Sequence, residues 1–533
     1  MKKTRIATYL LVGLLALLGL VGCSNATSSN NDSKNESSDK PVSGGTLNIA
    51  FGSDPDTIDW MYTGATATRD IGWHIFEGLF ALDKDFKIKP MLADDYTISE
   101  DKKTYTIKLR DGLTFHDGND VTSEDVVESI NRWQTVSSVG KIASGHIESV
   151  KATDDLTIVV QLKDVYNSLL ADFAAPKSSL IIIPAEIAKS AGEQPLGTDQ
   201  LIGTGPYKFE SWDRGNQIVL TKNENYSARE ETDWGGLTGK KTAYFDKLNF
   251  KIVKDSQVMV NGLKTGIYDY AQSIPLDLYD VIEATDNIDP VTYDNGYSVI
   301  TPDKSEAPFD DISVRQALHY ALDKETIAKA TYGNKDFFNL DGALFAPNQT
   351  ELYSDKGTEN YISYNQEEAE KLLEESDYDG KPITIMFSND NTDYQKIAEI
   401  AKQQLEAVGF SVKLESYEWA TYLEKWADPA NWDLVVVGWS TRFSPNELGM
   451  LSVDTSSSGW YKSDRWTDLI AQWGDAETTE QKQQVLADMN KTVYEELPFE
   501  KITNISSLDI KTSKLKDYDS WVGQRFWNTW KDK

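Results

Sequence analysis

Few side chains in this sequence are of the types that perform nucleophilic or metal chemistry. Cys23 is the only cysteine, so no internal disulfide can form. The sequence shows no GxSxG elbow, P-loop or HExxH motif. The histidines lie far apart and share no HxxxH or similar spacing, which argues against a dedicated His/Cys metal cage; they are His74, His116, His146 and His319. We therefore expect no metal site and no cofactor.

The pair that looks most catalytic is His116 with Asp117. Both lie in the Phe-His-Asp-Gly turn of residues 115–118, where Asp and Gly satisfy the needs of the backbone. We interpret this segment as structural. Because the chain has 85 acidic residues, carboxylate pairs arise by chance, and a secreted glycosidase that uses two of them is the enzyme alternative.

Acidic residues dominate the charge. The chain has 53 Lys and Arg against 85 Asp and Glu, a formal net charge of −32. Nucleic acid phosphates and anionic lipid headgroups repel such a chain, so we expect no nucleic acid partner. The excess favours solubility in an exposed compartment over the steering of a cationic ligand.

The N-terminus has the pattern of a secretion signal. Three basic residues among the first five precede the uncharged segment 6–22, which is too short for a comfortable membrane span. Residues 1–22 are therefore predicted to be a signal peptide.

The end of this signal, Leu20-Val21-Gly22-Cys23, resembles the bacterial lipobox. That resemblance implies a lipoprotein in which Cys23 carries acyl chains such as palmitate and becomes the new N-terminus. The alternative is an ordinary signal peptide that is cut nearby and leaves Cys23 free.

Residues 23–43 are predicted to be a flexible tether. After Cys23 they are mainly Ser, Asn, Asp and Lys without an aromatic residue, a composition that cannot bury a core. Twenty such residues span roughly 25 Å. We expect the folded body to be anchored to the cell membrane on its extracytoplasmic face.

From Gly44 onward, strand patterns alternate with helix patterns, which indicates an α/β fold. Strands are predicted at 46–51, 105–109, 383–387, 411–416 and 434–437, and helices after the caps Thr122, Asp311 and Asn365 and over about 393–408. The strand at 434–437 is apolar on both faces and is expected inside a covered parallel sheet. Ligands bind beyond the carboxyl ends of such strands, here at 438–442.

Five segments together resemble the family 5 solute-binding proteins, the peptide, dipeptide and nickel receptors of ABC importers. They are Gly-Gly-Thr-Leu at 44–47, Phe-Glu-Gly-Leu at 76–79, the stretch 105–118, Gly-Thr-Gly-Pro-Tyr at 203–207, and the stretch 311–318. They follow the family's order from Gly44 towards the C-terminus.

The resemblance implies a two-lobed periplasmic-binding-protein-like fold (type II, cluster C) with an extra domain inserted in lobe one. Mapped onto this chain, lobe one comprises 44–81, 203–299 and 503–533. The inserted domain is 82–202, and lobe two is 300–502.

The resemblance also implies the function. The chain is expected to be a substrate-binding lipoprotein of an ABC importer, not an enzyme. It would act as a monomer that captures a peptide or peptide-like ligand between its lobes and delivers it to the permease subunits in the membrane. The alternative ligands are an oligosaccharide or a metal–chelator complex, since 15 Trp and 25 Tyr offer rings on which sugars stack.

The family's ligand cleft maps onto three segments. They supply Gly52 and Ser53 from the end of the first strand, Trp419 and Tyr422 from the helix before the buried strand, and Trp439, Ser440 and Arg442 from the loop after it. Trp419 suits cleft lining and core packing equally, whereas the position of Trp439 favours the cleft.

Arg442 departs from the family pattern. Peptide receptors of the family usually carry an Asp there, which pairs with the ligand's α-ammonium, and Trp426 and Ala427 occupy the places of basic residues that oligopeptide receptors use. A buried cation must be paired. The partner of Arg442 is either a carboxylate or phosphate of the ligand or an acidic residue of the protein.

Overall fold

The computed structural model describes residues 40–452 and 455–532. The predicted signal peptide, Cys23 and the tether up to residue 39 lie outside the described residues. Among the described residues, no helix combines the length and the apolar character needed to cross a membrane.

Strands and helices alternate along most of the described chain. The strands are β1 Thr46–Phe51, β2 Phe80–Leu82, β3 Ile88–Pro90, β4 Ala93–Ile98, β5 Thr104–Leu109, β6 Ile147–Asp154, β7 Thr157–Leu162, β8 Tyr207–Asp213, β9 Gln217–Lys222, β10 Lys247–Ile252, β11 Tyr270–Ile274, β12 Ile288–Pro302, β13 Phe338–Asn339, β14 Ile383–Ser388, β15 Val412–Tyr417, β16 Leu434–Trp439, β17 Glu500–Thr512, β18 Leu515–Lys516 and β19 Trp530–Lys531.

The α-helices are α1 Thr66–Ile75, α2 Ser123–Val136, α3 Ser138–Ser144, α4 Leu169–Ala174, α5 Ala185–Ala191, α6 Ser256–Lys264, α7 Tyr279–Glu283, α8 Ile312–Ala321, α9 Lys324–Tyr332, α10 Gln366–Glu375, α11 Thr392–Ala407, α12 Trp419–Trp426, α13 Asp464–Asp475 and α14 Thr479–Glu496. Short 3₁₀ helices lie at Thr198–Gln200, Leu276–Leu278, Lys335–Phe337, Pro429–Asn431, Pro445–Ser452 and Ser456–Ser458.

Two long antiparallel strands, β12 and β17, connect the two halves of the molecule. They pair from Ile288↔Thr512 to Ile300↔Glu500 at the centre of a sheet with the order β15-β14-β16-β12-β17-β11-β1-β10-β9-β8. Of the residues of β12, only those at its C-terminal end pair with β16, and β11 pairs with the C-terminal end of β17. The remaining strands therefore attach at opposite ends of one ribbon.

The apolar cores confirm two lobes. One buried cluster runs from Leu47 to Phe250 and includes Phe526 near the C-terminus. Two other clusters lie within 297–502 and pack around β14, β16 and the helices α8 to α14. The fold is therefore α/β and two-lobed, as predicted.

Local sequence signals explain where several elements begin. β1 spans the predicted residues. Thr122 and Asp125 form the capping box of α2, with the Thr122 N–H donating to the Asp125 carboxylate at 2.8 Å. Asp311 and Asn365 cap α8 and α10 through the backbone N–H groups of Ser313 and Glu368. These predictions are confirmed.

β16 is as buried as predicted, but its sheet is not purely parallel. It runs parallel to β14 and antiparallel to β12. The prediction of a parallel sheet was wrong on this side because β12 returns from lobe one, a long-range connection that an apolar run does not reveal.

We propose that residues 82–202 are the inserted domain. Their antiparallel sheet, in the order β4-β5-β7-β6, forms no hydrogen-bonded ladder with the large sheet. Apolar residues of this segment, such as Ile107 and Trp133, nevertheless belong to the same core cluster as Leu47 and Phe250 of lobe one. The segment thus packs on lobe one through a shared apolar core.

Candidate functional site: the cleft between the lobes

A cavity of about 570 Å³ lies between the lobes. Its walls come from lobe one, from the two connecting strands and from lobe two. The lining residues include Thr66, Asp70, Gln272, Ser273 and Asp277 of lobe one, Tyr293, Asn295 and residues 505–508 of the strands, and Thr331, Asp390, Asp393, Tyr394, Lys396, Trp439 and Ser440 of lobe two. A ligand in this cavity contacts both lobes at once.

The lobe-two wall depends on two glycines. The backbone N–H of Gly438 donates to the hydroxyl of Tyr394 at 2.8 Å, and a Cβ at Gly438 would lie only 2.9 Å from that oxygen. Gly296 on β12 has a φ of +88°, and a Cβ there would lie 1.9 Å from the carbonyl oxygen of Trp439. Glycine at both positions lets the carboxyl end of β16 reach the cavity.

Acidic side chains outnumber basic ones in the cavity lining. The acids are Asp70, Asp277, Asp390 and Asp393, and the base is Lys396. Burial raises the pKa of Asp393, Lys396 opposes the rise, and the charge of Asp277 from the other lobe adds to it. Two like charges therefore approach each other across the cleft, and a cationic group between them would relieve the repulsion.

Asp70 anchors the lobe-one wall. Its carboxylate accepts hydrogen bonds from Nε of Arg69 at 2.8 Å and from Nε2 of Gln524 at 2.9 Å. Burial raises its pKa to about 6, against the opposing effect of Arg69. Gln524 also donates to Gln272, which connects this buried network to the cavity surface.

The predicted site residues fall into different environments. Trp439 and Ser440 line the cavity. Gly52 lies behind the wall, since a Cβ there would lie 3.8 Å from Nε2 of Gln272, and Ser53 next to it is exposed. Trp419 is 42% exposed, and its backbone N–H donates to the Asp390 carboxylate of the cavity lining at 2.7 Å.

Tyr422 packs in the interior of lobe two. It is fully buried among Met386, Trp432 and Val435, and its hydroxyl donates to the carbonyl oxygen of Val436 at 3.0 Å. The helix α12 thus presents Trp419 towards solvent beside the cleft and uses Tyr422 to attach itself to the sheet.

Arg442 lies outside the lining of the cavity. It is 8% exposed and lies over the ring of Trp439, with 5.5 Å between its Cζ and the ring centroid. Among the described residues, its guanidinium forms no ion pair and donates no hydrogen bond, and its Nε is buried. Lys177 of the inserted domain lies nearby. Burial, and secondly the charge of Arg442, lowers the pKa of Lys177 to about 8.

Glu447 is an acidic residue whose pKa both of these cations affect. Burial raises its pKa, whereas Lys177 and Arg442 lower it. One oxygen, Oε2, is buried without a partner among the described residues. The group therefore holds two cations from opposite lobes and one acid that bonds to neither.

The lobes also touch outside the cavity. Phe443 of lobe two stacks on Phe86 and lies beside Trp521 of lobe one, and a second hollow of about 360 Å³ borders Phe86 and Trp521. Lys102 of the inserted domain forms an ion pair with Glu477 of lobe two at 2.8 Å. The structure is therefore the closed form.

His116 and Asp117 have structural contacts, as predicted. The His116 ring bonds to the carbonyl oxygen of Gly205 at 3.0 Å and accepts from the N–H of Gly203 at 3.3 Å, and Asp117 accepts from the N–H of Asn119 at 3.0 Å. Within residues 40–452 and 455–532, no group of three or more His, Cys, Asp or Glu is placed to hold a metal ion.

Sequence reasoning missed most of the lining. Asp390 and Asp393 follow the carboxyl end of β14, which lies parallel to β16. The rule that pointed to 438–442 applies equally to this neighbouring strand and would have found them. Asp277 and the 505–508 segment carry no such local signal.

Comparison with known proteins agrees with this architecture. The family model described as bacterial extracellular solute-binding proteins, family 5 Middle, matches residues 87–461. The probable peptide ABC transporter periplasmic-binding protein y4tO of Sinorhizobium fredii is 29% identical over 462 residues, which cover 83% of this chain and 85% of that protein.

Two solved structures share the fold. The ABC transporter-associated periplasmic binding protein DppA of Helicobacter pylori, in complex with the peptide STSA, superposes with a TM-score of 0.78 at 23% identity, and the match covers 92% of this chain and 99% of that one. The oligopeptide-binding protein AppA of Bacillus subtilis, in complex with a nonapeptide, has a TM-score of 0.76 at 23% identity and covers 93% and 100%.

Proposed function

Because the chain belongs to the bacterial extracellular solute-binding proteins of family 5, we propose that it is the receptor of an ABC importer that captures a peptide or peptide-like ligand between its lobes. The observation that carries this proposal is the cavity of about 570 Å³, which both lobes and both connecting strands line. Relatives named for peptide transport and peptide binding support the ligand class.

The cavity suits a peptide better than a sugar. Its lining includes the strand segment 505–508 and Tyr293 on β12, beside which an extended ligand can lie. Asp277 and Asp393 suit a cationic group such as an α-ammonium or a basic side chain. Stacked aromatic walls, the feature that would favour an oligosaccharide, are limited in this lining to Tyr293, Tyr332, Tyr394 and Trp439.

We assign ligand contacts to Trp439 and Ser440, and a place at the rim of the open cleft to Gly52, Ser53 and Trp419. Arg442, together with Lys177, is proposed to receive an anionic group of the ligand when the lobes close. A zwitterionic ligand, with a cation near Asp393 and an anion near Arg442, satisfies both charged groups.

The proposed setting is the extracytoplasmic face of the cell membrane. Acylation of Cys23, after removal of residues 1–22, would anchor a monomer through the tether 23–43, close to the permease subunits that accept the ligand. We further propose that the ligand is bound without chemical conversion.

Equilibrium binding tests this function. Native mass spectrometry of the purified protein should detect a bound peptide, and calorimetric titration with a peptide library should identify binders of that class. Small-angle scattering should show a smaller radius with ligand than without. Conversion of the ligand during incubation, or binding of oligosaccharides in place of peptides, would overturn the proposal.

A further inference from the structure

A buried polar contact joins the lobes away from the cavity. Asn446, on the 3₁₀ helix Pro445–Ser452 of lobe two, donates through Nδ2 to the hydroxyl of Tyr166 at 2.8 Å and to Oδ1 of Asp172 at 3.1 Å. The Tyr166 hydroxyl in turn donates to Oδ2 of Asp172 at 2.5 Å. Tyr166 and Asp172 belong to the inserted domain, and none of the three residues lines the cavity.

The carboxyl group at the centre of this contact is fully buried without a cation. Asp172 has no exposed surface, and Tyr166 and Asn446 are each 3% exposed. Among the described residues, Asp172 forms no ion pair, and its side-chain partners are Tyr166 and Asn446 alone. A buried charge without a counterion is costly, so burial favours the neutral carboxylic acid. The hydrogen bonds that Tyr166 and Asn446 donate to Asp172 favour the carboxylate and oppose this effect, but burial is the larger influence.

The charged groups around Asp172 do not reverse the preference of its carboxyl group for the neutral form. Glu447, on the same 3₁₀ helix as Asn446, acts in the same direction as burial. Lys141 on α3 and Lys89 on β3 stand on elements that pack against α4, and neither bonds to Asp172. His146 stacks on the ring of Tyr166 at 4.1 Å and is hydrogen bonded to Asp164 at 2.6 Å.

We propose that Tyr166, Asp172 and Asn446 form a proton-linked latch, which favours the closed form of the receptor as the pH falls. Opening the lobes withdraws Asn446 and lets water reach Asp172, so the carboxyl group ionises in the open form. Closing the lobes buries it again and takes up one proton. The latch thus couples ligand retention to proton concentration in the surroundings.

The direction follows from proton linkage. In the closed form, burial raises the pKa of Asp172 to about 7, whereas an exposed Asp titrates near 3.9. Between these two pKa values, closing of the lobes takes up a proton. The equilibrium constant for closing therefore rises by at most about tenfold for each unit by which the pH falls. The advantage is complete below about 4 and disappears as the pH rises through about 7.

Neighbouring contacts place the latch within a wider lobe-to-lobe surface. The N–H of Asn167 donates to the carbonyl oxygen of Gly474 at 2.9 Å, and its Nδ2 donates to that of Asp475 at 3.1 Å. These bonds do not titrate. They fix the registry in which Asn446 meets Asp172.

Distances between spin labels on the two lobes of the ligand-free protein test the latch. Labels at Lys151→Cys and Glu480→Cys, in a Cys23→Ala background, report the closed fraction as the population at the shorter distance. In otherwise wild-type protein we expect this fraction to rise as the pH falls from about 8 to about 5. Asp172→Asn should show the higher closed fraction both at about pH 8 and at about pH 5. Asp155→Asn, an exposed acid of the inserted domain, should behave like wild type.

Asn446→Ala provides a second variant that leaves lobe one untouched. It should lower the closed fraction at about pH 5, where the latch is strongest. A pH response that Asp172→Asn leaves unchanged, or its absence in wild type, would overturn the proposal. Because no ligand is needed, this result is separate from that of the peptide-binding experiments, although the latch serves the receptor function proposed above.

Discussion

The ring of Phe443 in lobe two stacks on the ring of Phe86 next to lobe one, with 6.2 Å between the ring centroids and 28° between the ring planes. Trp521 completes the contact, with its centroid 4.9 Å from that of Phe86 and 6.1 Å from that of Phe443. Because the rings come from opposite lobes, they meet only when the cleft is closed. Closure therefore buries an aromatic cluster in addition to the ligand.

Phe443→Ala should weaken ligand binding without removing any group of the cavity lining. The aromatic contact is lost from the closed form alone, at a cost of about 1 kcal/mol, or roughly fivefold in affinity. Calorimetric titration of a peptide ligand measures this loss. Tyr96→Ala, which removes an aromatic contact with Phe80 within the lobe-one side, is the matched control and should bind as wild type does. Equal affinities of all three proteins would contradict the role given to Phe443.

Asp393→Asn should lower the affinity for peptides that carry a cationic group near the cleft acids, and it should leave the affinity for neutral analogues unchanged. The substitution removes one of the two negative charges that would attract the cationic group. The expected loss of binding free energy for a cationic peptide is about 1 kcal/mol. Titration with a peptide and its N-acetylated form measures the difference. Asp468→Asn on α13, an exposed acid outside the cavity lining, is the control. An equal change for both peptide forms would show that Asp393 acts on the fold and not on the ligand.

Local signals in the sequence predicted the helices and strands well, but they predicted the burial of individual side chains less well. The family resemblance assigned both Trp419 and Tyr422, on one helix, to the ligand cleft. The structure exposes Trp419 by 42% and buries Tyr422 completely. The difference depends on where the helix lies on the sheet, which the pattern of one helix cannot specify.

Features that depend on long-range pairing were beyond sequence reasoning. The family resemblance implied two lobes, but Asp277 faces Asp393 across the cleft only because β12 and β17 hold the lobes together in register. Likewise, the contact of Asn446 with Asp172 joins positions 274 residues apart. Such contacts follow from the tertiary fold and carry no local pattern.

Cys23→Ala should abolish membrane attachment. If Cys23 is acylated, its replacement removes the thiol that carries the lipid, and the protein is either released or retained as an uncut precursor. Fractionation of cells, with mass measurement of the N-terminal peptide, checks this outcome. Ser24→Ala, the adjacent substitution, should leave the lipid in place. Mature Cys23→Ala protein that remains bound to the membrane would contradict the lipobox interpretation.

Arg442→Asp carries the most information about the ligand. In the closed form the guanidinium is almost buried and bonds to no described acid, while Lys177 from the other lobe adds a second positive charge nearby. A carboxylate or phosphate of the ligand would neutralise both, and the planar guanidinium suits such a group. We therefore expect peptides with a free C-terminal carboxylate to bind more tightly than their amidated forms by at least ~2 kcal/mol, the scale for breaking a desolvated charge pair.

The variant should reverse this preference. With Asp at position 442, the free carboxylate of the peptide loses its partner and meets a like charge. Peptides with a free carboxylate should therefore bind less tightly, and some preference for a free α-ammonium should appear. Arg465→Gln, which removes an exposed arginine paired with Glu495, is the control and should retain the wild-type preference. Titration of the three proteins with free and amidated peptides decides the matter. If wild type binds both forms equally and Arg442→Asp changes neither, Arg442 is neutralised within the protein, with Glu447 as its counterion, and the anionic end of the ligand lies elsewhere.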